Sequence, residues 1–396
     1  MLKIQKKDGS IEAFSSQKIV SAICKSANRA MYDLSDEQCR RVVDLTLAHL
    51  AEHGGDVAPV ANVHNAVERA LDDVAPDVAK CYRDYRNYKQ DFVHMLDDVY
   101  RKSQAIRYIG DRNNANTDSA LVPTQRSLIY NELSSALYKK FFLNREEREA
   151  MKDGYIYIHD RSARLDTMNC CLFDMENVLT GGFEMGNVWY NEPKTLDVAF
   201  DVISDVAISA AACQYGGFTI PEVDKILAPY AEKSYQKYFE EYTEIAVYNN
   251  LGDHEDVLTA ADEYATKKVQ RDMEQGFQSW EYRFNTVGSS RGDYPFIAVS
   301  FGLDNSRFGR MASMTCMNVR AGGQGAAGHK KPVLFPKLTF LYDEELHGEG
   351  KPMEDVFECG VDCSTKAMYP DFLSLTGEGY IPSMYKKYGR VVSLMG

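Results

Sequence analysis

Leu2-Lys3-Ile4-Gln5-Lys6-Lys7-Asp8-Gly9-Ser10-Ile11-Glu12-Ala13-Phe14 opens the chain and decides the reading of everything up to about residue 92. Leu2 and Ile4 alternate with polar residues, Asp8-Gly9 supplies the two positive φ values of a tight type I′ turn, and Ile11 returns, so the stretch reads as a β-hairpin. Helices follow. Ile19, Ala22, Ile23 and Ala30 keep one face at helical spacing, Ser35-Asp36-Glu37-Gln38 is a capping-box start, and Val60, Val63, Val67, Leu71 and Val74 form a third apolar stripe. Pro76 precedes a fourth helix through Tyr82, Tyr85 and Tyr88. The expectation for residues 1–92 is a small α+β domain, a two-stranded hairpin with four helices.

Charge separates this domain from the rest. Residues 1–92 hold 13 basic and 14 acidic side chains, and the remainder holds 32 and 44, which gives the 396-residue chain its net charge of −13. From residue 93 to 396 helical stretches such as Asp197 to Cys213 alternate with short apolar runs: Tyr155-Ile156-Tyr157-Ile158, Phe296-Ile297-Ala298-Val299, Val333-Leu334-Phe335 and Leu338-Thr339-Phe340-Leu341. Strands separated by helices imply an α/β second domain. Residues 230–285 read as a charged, aromatic helical stretch.

Several function classes drop out. No apolar run approaches the ~20 residues of a membrane span, and the first residues lack the apolar stretch of a secretory signal, so a cytoplasmic protein is expected. Nine scattered cysteines without a CxxC pair make a poor disulfide framework and a poor zinc site, and no metal site is expected. The acidic balance argues against nucleic-acid and membrane partners while leaving room for a local basic pocket that holds a small polyanion.

Two places carry chemistry. In the first domain Lys3, Lys6, Lys7 and Lys18 gather around the hairpin, and Lys80, Arg83, Arg86 and Lys89 recur every three residues along the fourth helix. They are either two solvated faces or two strips converging on a polyphosphate. In the second domain His159-Asp160 stands ten to eleven residues ahead of Asn169-Cys170-Cys171. A thiol beside Asn169 is a redox or nucleophilic candidate, and a buried cysteine pair at a strand end is the plain alternative. Gly322-Gly323-Gln324-Gly325-Ala326-Ala327-Gly328-His329-Lys330 lacks the Lys-Ser/Thr of a phosphate loop and reads as a surface loop. Cys359 and Cys363 read as a packed helix face rather than a metal pair.

The order of features from Lys6-Lys7-Asp8-Gly9-Ser10-Ile11-Glu12-Ala13-Phe14 through Gln17-Lys18-Ile19 to Tyr82-Arg83-Asp84-Tyr85-Arg86 resembles the ATP-cone regulatory module of ribonucleotide reductases. That resemblance implies control by ATP or dATP, with Lys6, Lys7, Glu12 and Lys18 at the nucleotide and Arg83 and Arg86 in the same site. Further on, Asn169-Cys170-Cys171, Tyr215-Gly216-Gly217, Gln278-Ser279-Trp280-Glu281-Tyr282, Asn285-Thr286, Tyr294-Pro295-Phe296, Phe335-Pro336-Lys337-Leu338 and Met368-Tyr369-Pro370-Asp371 follow in order. Together they resemble the catalytic domain of the anaerobic, glycyl-radical ribonucleoside-triphosphate reductases, from about residue 93 to the last residue.

That second resemblance implies a ten-stranded α/β barrel of two half-barrels, of which this chain would supply the first part. It implies ribonucleoside triphosphates as substrates, a radical-SAM activating enzyme as partner, and a homodimer or higher oligomer. Cys170 matches the cysteine that donates hydrogen toward the ribose C2′. His159, Asp160, Asn169, Ser289, Ser290 and Arg291 would border the substrate, and the helix from about Thr195 into Tyr215-Gly216-Gly217 would belong to the dimer and effector-specificity region. The family's thiyl cysteine follows Met-Gly, and this sequence ends at Met395-Gly396. The thiyl cysteine, second half-barrel, four-cysteine zinc module and glycyl-radical site are therefore expected outside this chain, and the chain alone is expected to show no turnover. The alternative is a truncated, non-catalytic nucleotide-binding or interaction protein that keeps the ATP cone. A pyruvate formate-lyase relative would share the barrel but leave the cone unexplained.

Overall fold

The computed structural model describes residues 2–52, 56–109, 120–164, 168–286, 288 and 292–389. The chain divides into two compact units, Met1–Arg101 and Lys102–Gly396, and each has a buried apolar cluster of its own.

In the first unit β1 (Lys3–Gln5) and β2 (Ile11–Ala13) pair antiparallel, Lys3 opposite Ala13 and Gln5 opposite Ile11. The turn between them differs from the expected type I′. Gly9 has φ +84° and Asp8 is not among the positive-φ residues; Gly9 N donates to Lys6 O at 3.0 Å and Lys6 N to Ser10 O at 2.8 Å. This is a three-residue loop with a glycine bulge. Asp8 decides it: its carboxylate accepts from Ser10 N (3.0 Å) and Ser10 Oγ (2.6 Å), a side-chain turn that spares its own backbone the left-handed region.

Four helices follow: α1 (Ser16–Arg29), α2 (Asp36–Ala51), α3 (Val60–Val74) and α4 (Pro76–Ile109). At the start of α2 Ser35 Oγ accepts from Gln38 N at 3.2 Å and Gln38 Oε1 from Ser35 N at 3.0 Å, the reciprocal pair its sequence announced. A third strand, β3 (Val57–Pro59), lies parallel to β1 with Ala58 opposite Ile4, so the hairpin is part of a three-stranded sheet in the order β2-β1-β3. Three residues ending in proline are too few to show alternation, which is why β3 escapes a reading by pattern. Ile23, Val42, Val67, Leu71 and Val78 fill the core between the helices.

The second unit begins with α5 (Val122–Phe141), α6 (Arg145–Lys152) and a short 3-10 turn, Arg161–Ala163. Then come β4 (Cys171–Leu172), α7 (Met175–Leu179), a hairpin of β5 (Phe183–Met185) and β6 (Val188–Tyr190), α8 (Leu196–Ala212), β7 (Phe218–Ile220), α9 (Val223–Tyr248) and α10 (His254–Phe284). The remainder is β8 (Ile297–Phe301), α11 (Arg307–Gly322), β9 (Lys337–Tyr342), α12 (Glu344–His347), α13 (Glu354–Ala367), β10 (Asp371–Ser374) and α14 (Tyr380–Tyr388). The expected run Tyr155–Ile158 is no strand: Tyr155 and Tyr157 are 84% and 81% exposed and find no ladder partner among the described residues. Val333-Leu334-Phe335 likewise precedes its strand and forms none.

Five strands make one sheet in the order β10-β9-β8-β7-β4, every neighbouring pair parallel. Parallel neighbours need crossovers, and the helices between them supply these. Phe218, Ile220, Ile297, Val299, Phe301, Leu338 and Phe340 share one face and pack into the main core with α8, α9, α10, α11 and α13. Leu172, Thr219, Ala298, Ser300, Lys337, Thr339 and Leu341 alternate onto the other face, small and polar at Thr219, Ala298, Ser300 and Thr339 and apolar where Leu341 packs with Leu375. Most of α8 is buried, Leu196, Ala199, Phe200, Ile203 and Ala207 among it.

Candidate active site

All five strands run the same way, so whatever directly precedes a strand lies along one edge of the sheet. Asn169-Cys170 precedes β4, Tyr215-Gly216-Gly217 precedes β7, Tyr294-Pro295-Phe296 precedes β8, Phe335-Pro336 precedes β9 and Met368-Tyr369-Pro370 precedes β10. Segments scattered over about half the chain thus meet at the amino-terminal edge of a parallel sheet.

At that edge strand alternation separates the two adjacent cysteines. Cys171 pairs with Phe218, packs against the main core and has its Sγ held by Gln214 Nε2 at 2.8 Å. Cys170 points to the other side, is exposed, and accepts from Gly217 N at 3.4 Å. The expected choice of Cys170 over Cys171 therefore coincides with the accessible thiol. Beside it Asn169 Nδ2 donates to Asp160 Oδ2 at 3.2 Å, the same oxygen that pairs with His159 Nδ1. Asp160 sits in the left-handed region at φ +51° and its side chain is 19% exposed, against 74% for His159. His159, Asp160 and Asn169 thus form one connected group, an imidazole, a carboxylate and an amide, and the Cys170 thiol follows Asn169 in the chain. Such a set can donate to and accept from hydroxyl groups beside an accessible thiol.

Ser289, Ser290 and Arg291 lie outside the described residues. Gly292, just beyond them, is tied to the start of α5 through Thr124 Oγ1, which donates to Gly292 O.

Other edge residues hold the scaffold. Arg320 and Glu281 form an ion pair at 2.7 Å with side chains 1% and 4% exposed; Arg320 Nη2 also donates to Pro336 O at 2.7 Å, and Gln324 Nε2 to Glu281 Oε2 at 2.5 Å. Asn285 Oδ1 accepts from Phe335 N at 3.0 Å and its Nδ2 donates to Phe335 O at 2.6 Å. The Arg320–Glu281 pair is not fully satisfied, because Arg320 Nη1 is buried with no hydrogen-bond partner among the described residues. The Gly322–Lys331 loop is pinned at its base by Gln324 N and O, bonded to Lys331 O and N at 2.8 and 2.9 Å, with an exposed tip. Cys363 Sγ is buried and donates to Met317 O at 3.2 Å, burial pushing the thiol up to about 11, while Cys359 packs on the same helix face.

In the first unit the basic candidates fall into separate groups. Glu12 holds Lys6 at 2.9 Å and Lys18 at 2.8 Å, and the two ammonium groups, that of Lys18 first, keep its carboxyl below the usual range. Arg83 is bound by Glu68 at 2.5 Å and Asp72 at 2.8 Å, and Arg86 by Asn65 at 2.8 Å and Glu68 at 3.3 Å. Lys7 belongs with Arg86 and Lys89, whose positive charges, after burial, lower His64, and His64 Nδ1 meets Tyr82 Oη at 2.7 Å. Burial pushes Tyr82 up to about 12.

Two family models match the chain: the ATP cone domain over residues 2–91 and the anaerobic ribonucleoside-triphosphate reductase over residues 113–396. The chain belongs to the anaerobic ribonucleoside-triphosphate reductase family. Curated relatives under that name include one from Haemophilus influenzae, 31% identical over 379 residues, and one from Escherichia coli, 30% identical over 381. The alignments cover 93% and 94% of this chain and 51% of each relative, so the chain spans about half the length of the curated reductases it matches. Among solved structures, the Thermotoga maritima anaerobic ribonucleotide reductase in complex with dATP and CTP aligns with a TM-score of 0.43 at 14% identity, over 73% of this chain and 50% of that one.

Within this chain, sequence reasoning singled out Cys170 with Asn169, Asp160 and His159 but neither Gln214 nor the bond from Gly217 N to Cys170 Sγ, because only the folded sheet brings residues 169–171 and 214–217 together. It also missed His64 and Glu68 of the cone. Their signal was present: both lie on the polar side of the α3 stripe, facing the basic residues of α4.

Proposed function

We propose that this chain is the ATP-controlled, Cys170-bearing part of an enzyme that reduces ribonucleoside triphosphates to deoxyribonucleoside triphosphates by radical chemistry. The observation that carries the reading is the accessible Cys170 thiol at the amino-terminal edge of a parallel sheet, next in the chain to Asn169, which bonds Asp160 and through it His159. The five-stranded sheet is read as one half of a ten-stranded barrel, its face of Thr219, Ala298, Ser300 and Thr339 turned to the substrate. In that reading His159, Asp160 and Asn169 hold the ribose hydroxyls and the Cys170 Sγ–H delivers hydrogen toward C2′, with Ser289, Ser290 and Arg291 bordering the substrate. A glycyl radical would supply the one-electron chemistry that opens such a reaction. No three His, Cys, Asp or Glu among the described residues are placed to hold zinc.

ATP and dATP are read as effectors at the cone, with Lys6, Lys7, Glu12, Lys18, Arg83 and Arg86 at the nucleotide. A radical-SAM activating enzyme and a second copy of the chain complete the assembly in a cytoplasmic setting; no helix among the described residues is long and apolar enough to cross a membrane. The test is Cys170→Ser in the enzyme as its host produces it, supplied with activating enzyme and reductant. Deoxynucleotide formation is expected to vanish while ATP binding persists. Turnover that survives the substitution removes Cys170 from the chemistry and the reading with it.

A further inference from the structure

Between the paired positions Met168 and Gln214 on one side and Cys171 and Phe218 on the other, two residues of one strand, Asn169 and Cys170, face three of its neighbour, Tyr215, Gly216 and Gly217. The extra residue makes a bulge against the thiol, and bulges re-aim side chains next to functional sites. Tyr215 N donates to Met168 O at 3.0 Å, Gly216 N to Asn169 O at 2.6 Å and Cys171 N to Gly217 O at 3.0 Å, so three backbone bonds hold the bulge. Gly217 N then reaches Cys170 Sγ.

The middle residue has no room for a side chain. A Cβ at Gly216 would stand 2.5 Å from Cys170 Sγ, 2.5 Å from Asn169 Oδ1 and 2.6 Å from Asn169 O. Gly216 is not one of the positive-φ glycines, so its backbone suits other residues and space alone demands glycine.

We propose that Gly216 is a positioning residue for Cys170: the absence of its side chain lets Asn169 and Cys170 close onto the bulge and fixes where the thiol stands. For its effect on turnover this rests on the reading of Cys170 as the hydrogen donor; for its effect on the thiol it rests on geometry alone. Atoms in contact settle at about 3.5–4.0 Å, so an alanine methyl displaces the sulfur by about 1 Å. A misplacement of that size costs about 100-fold in rate.

The experiment compares Gly216→Ala in the native background and in an Asn169→Ala/Cys170→Ala background, which lacks both side-chain contacts. Gly216→Ala is expected to lower the urea midpoint more in the native background. It is also expected to change the iodoacetamide reaction of Cys170 relative to that of the exposed Cys213, and to lower kcat by about 100-fold. If Gly216→Ala folds only where both contacts are removed, the proposal stands. Equal loss of stability in the two backgrounds, failure to fold in both, or an unchanged Cys170 to Cys213 ratio overturns it. Turnover retained by Cys170→Ser would remove the functional reading and leave these stability and labelling results to decide the positioning role.

Discussion

His347 closes α12 with both ring nitrogens engaged inside the protein. Nε2 lies 2.7 Å from Gly302 O, and Nδ1 lies 3.0 Å from both Asp343 N and Asp343 O, so each ring nitrogen has a backbone partner in either charge state. Burial lowers its pKa from 6.5, the nearby Gly302 and Asp343 carbonyls opposing. A histidine whose folded pKa is depressed binds its proton first in the unfolded chain. Its contribution is therefore fully present above about 6.5 and is lost as pH falls from there toward the folded value. His64 is shifted the same way by burial and by Arg86, Lys7 and Lys89. The urea midpoint is expected to fall as pH drops from 7.5 toward 5, the unfolding free energy losing up to about 1.4 kcal/mol per pH unit for each histidine, and His347→Gln should flatten that slope. A midpoint that stays level across this range in the unmodified protein would show that neither histidine is held neutral by the fold.

Elements differ in how openly their sequence declares them. The start of α2 is written locally, since Ser35 and Gln38 satisfy each other's backbone N–H groups within one turn. Ser35→Ala removes one of these bonds and is expected to cost about 1 kcal/mol, read as an earlier unfolding transition of the first unit; no change would mean that solvent serves the α2 N-terminus equally well. The stripes of α1 and α3 were legible for the same reason, because burying Ile19 and Ile23 or Val67 and Leu71 needs only helical spacing. Gly9 was legible as a turn residue but Asp8 was misread, since its choice between a left-handed backbone and a side-chain turn depends on Ser10 accepting the role of donor. β3 and Tyr155–Ile158 fail in opposite directions. The first is a strand by virtue of β1 lying beside it, and the second is apolar in composition yet pairs with no strand among the described residues. The candidate site follows the same division: Cys170 and Asp160 can be picked from a motif, whereas the bulge at Gly216 exists only in the register between β4 and β7.

The molecule as a whole joins two units with unrelated chemistry on their surfaces. The second presents a thiol at the edge of a parallel sheet, and the first presents clusters of lysine and arginine already occupied by its own carboxylates. In the first unit Glu12 holds Lys6 and Lys18, and Glu68 with Asp72 holds Arg83. These exposed pairs add little to stability, and a polyphosphate that takes over the cations need displace only weak partners while drawing on charge-assisted bonds. If the first unit binds ATP, its unfolding transition must rise with nucleotide concentration, because the ligand binds only the folded form. At a hundred times the dissociation constant the gain is about 2.7 kcal/mol. Lys6→Ala/Lys7→Ala is expected to abolish most of that rise without lowering the transition in the absence of ATP, since Lys6 gives up only a surface pair with Glu12. A calorimetric rise with ATP that is undiminished in the double variant would place the nucleotide elsewhere and return both lysines to the solvated face from which the charge pattern alone could not separate them.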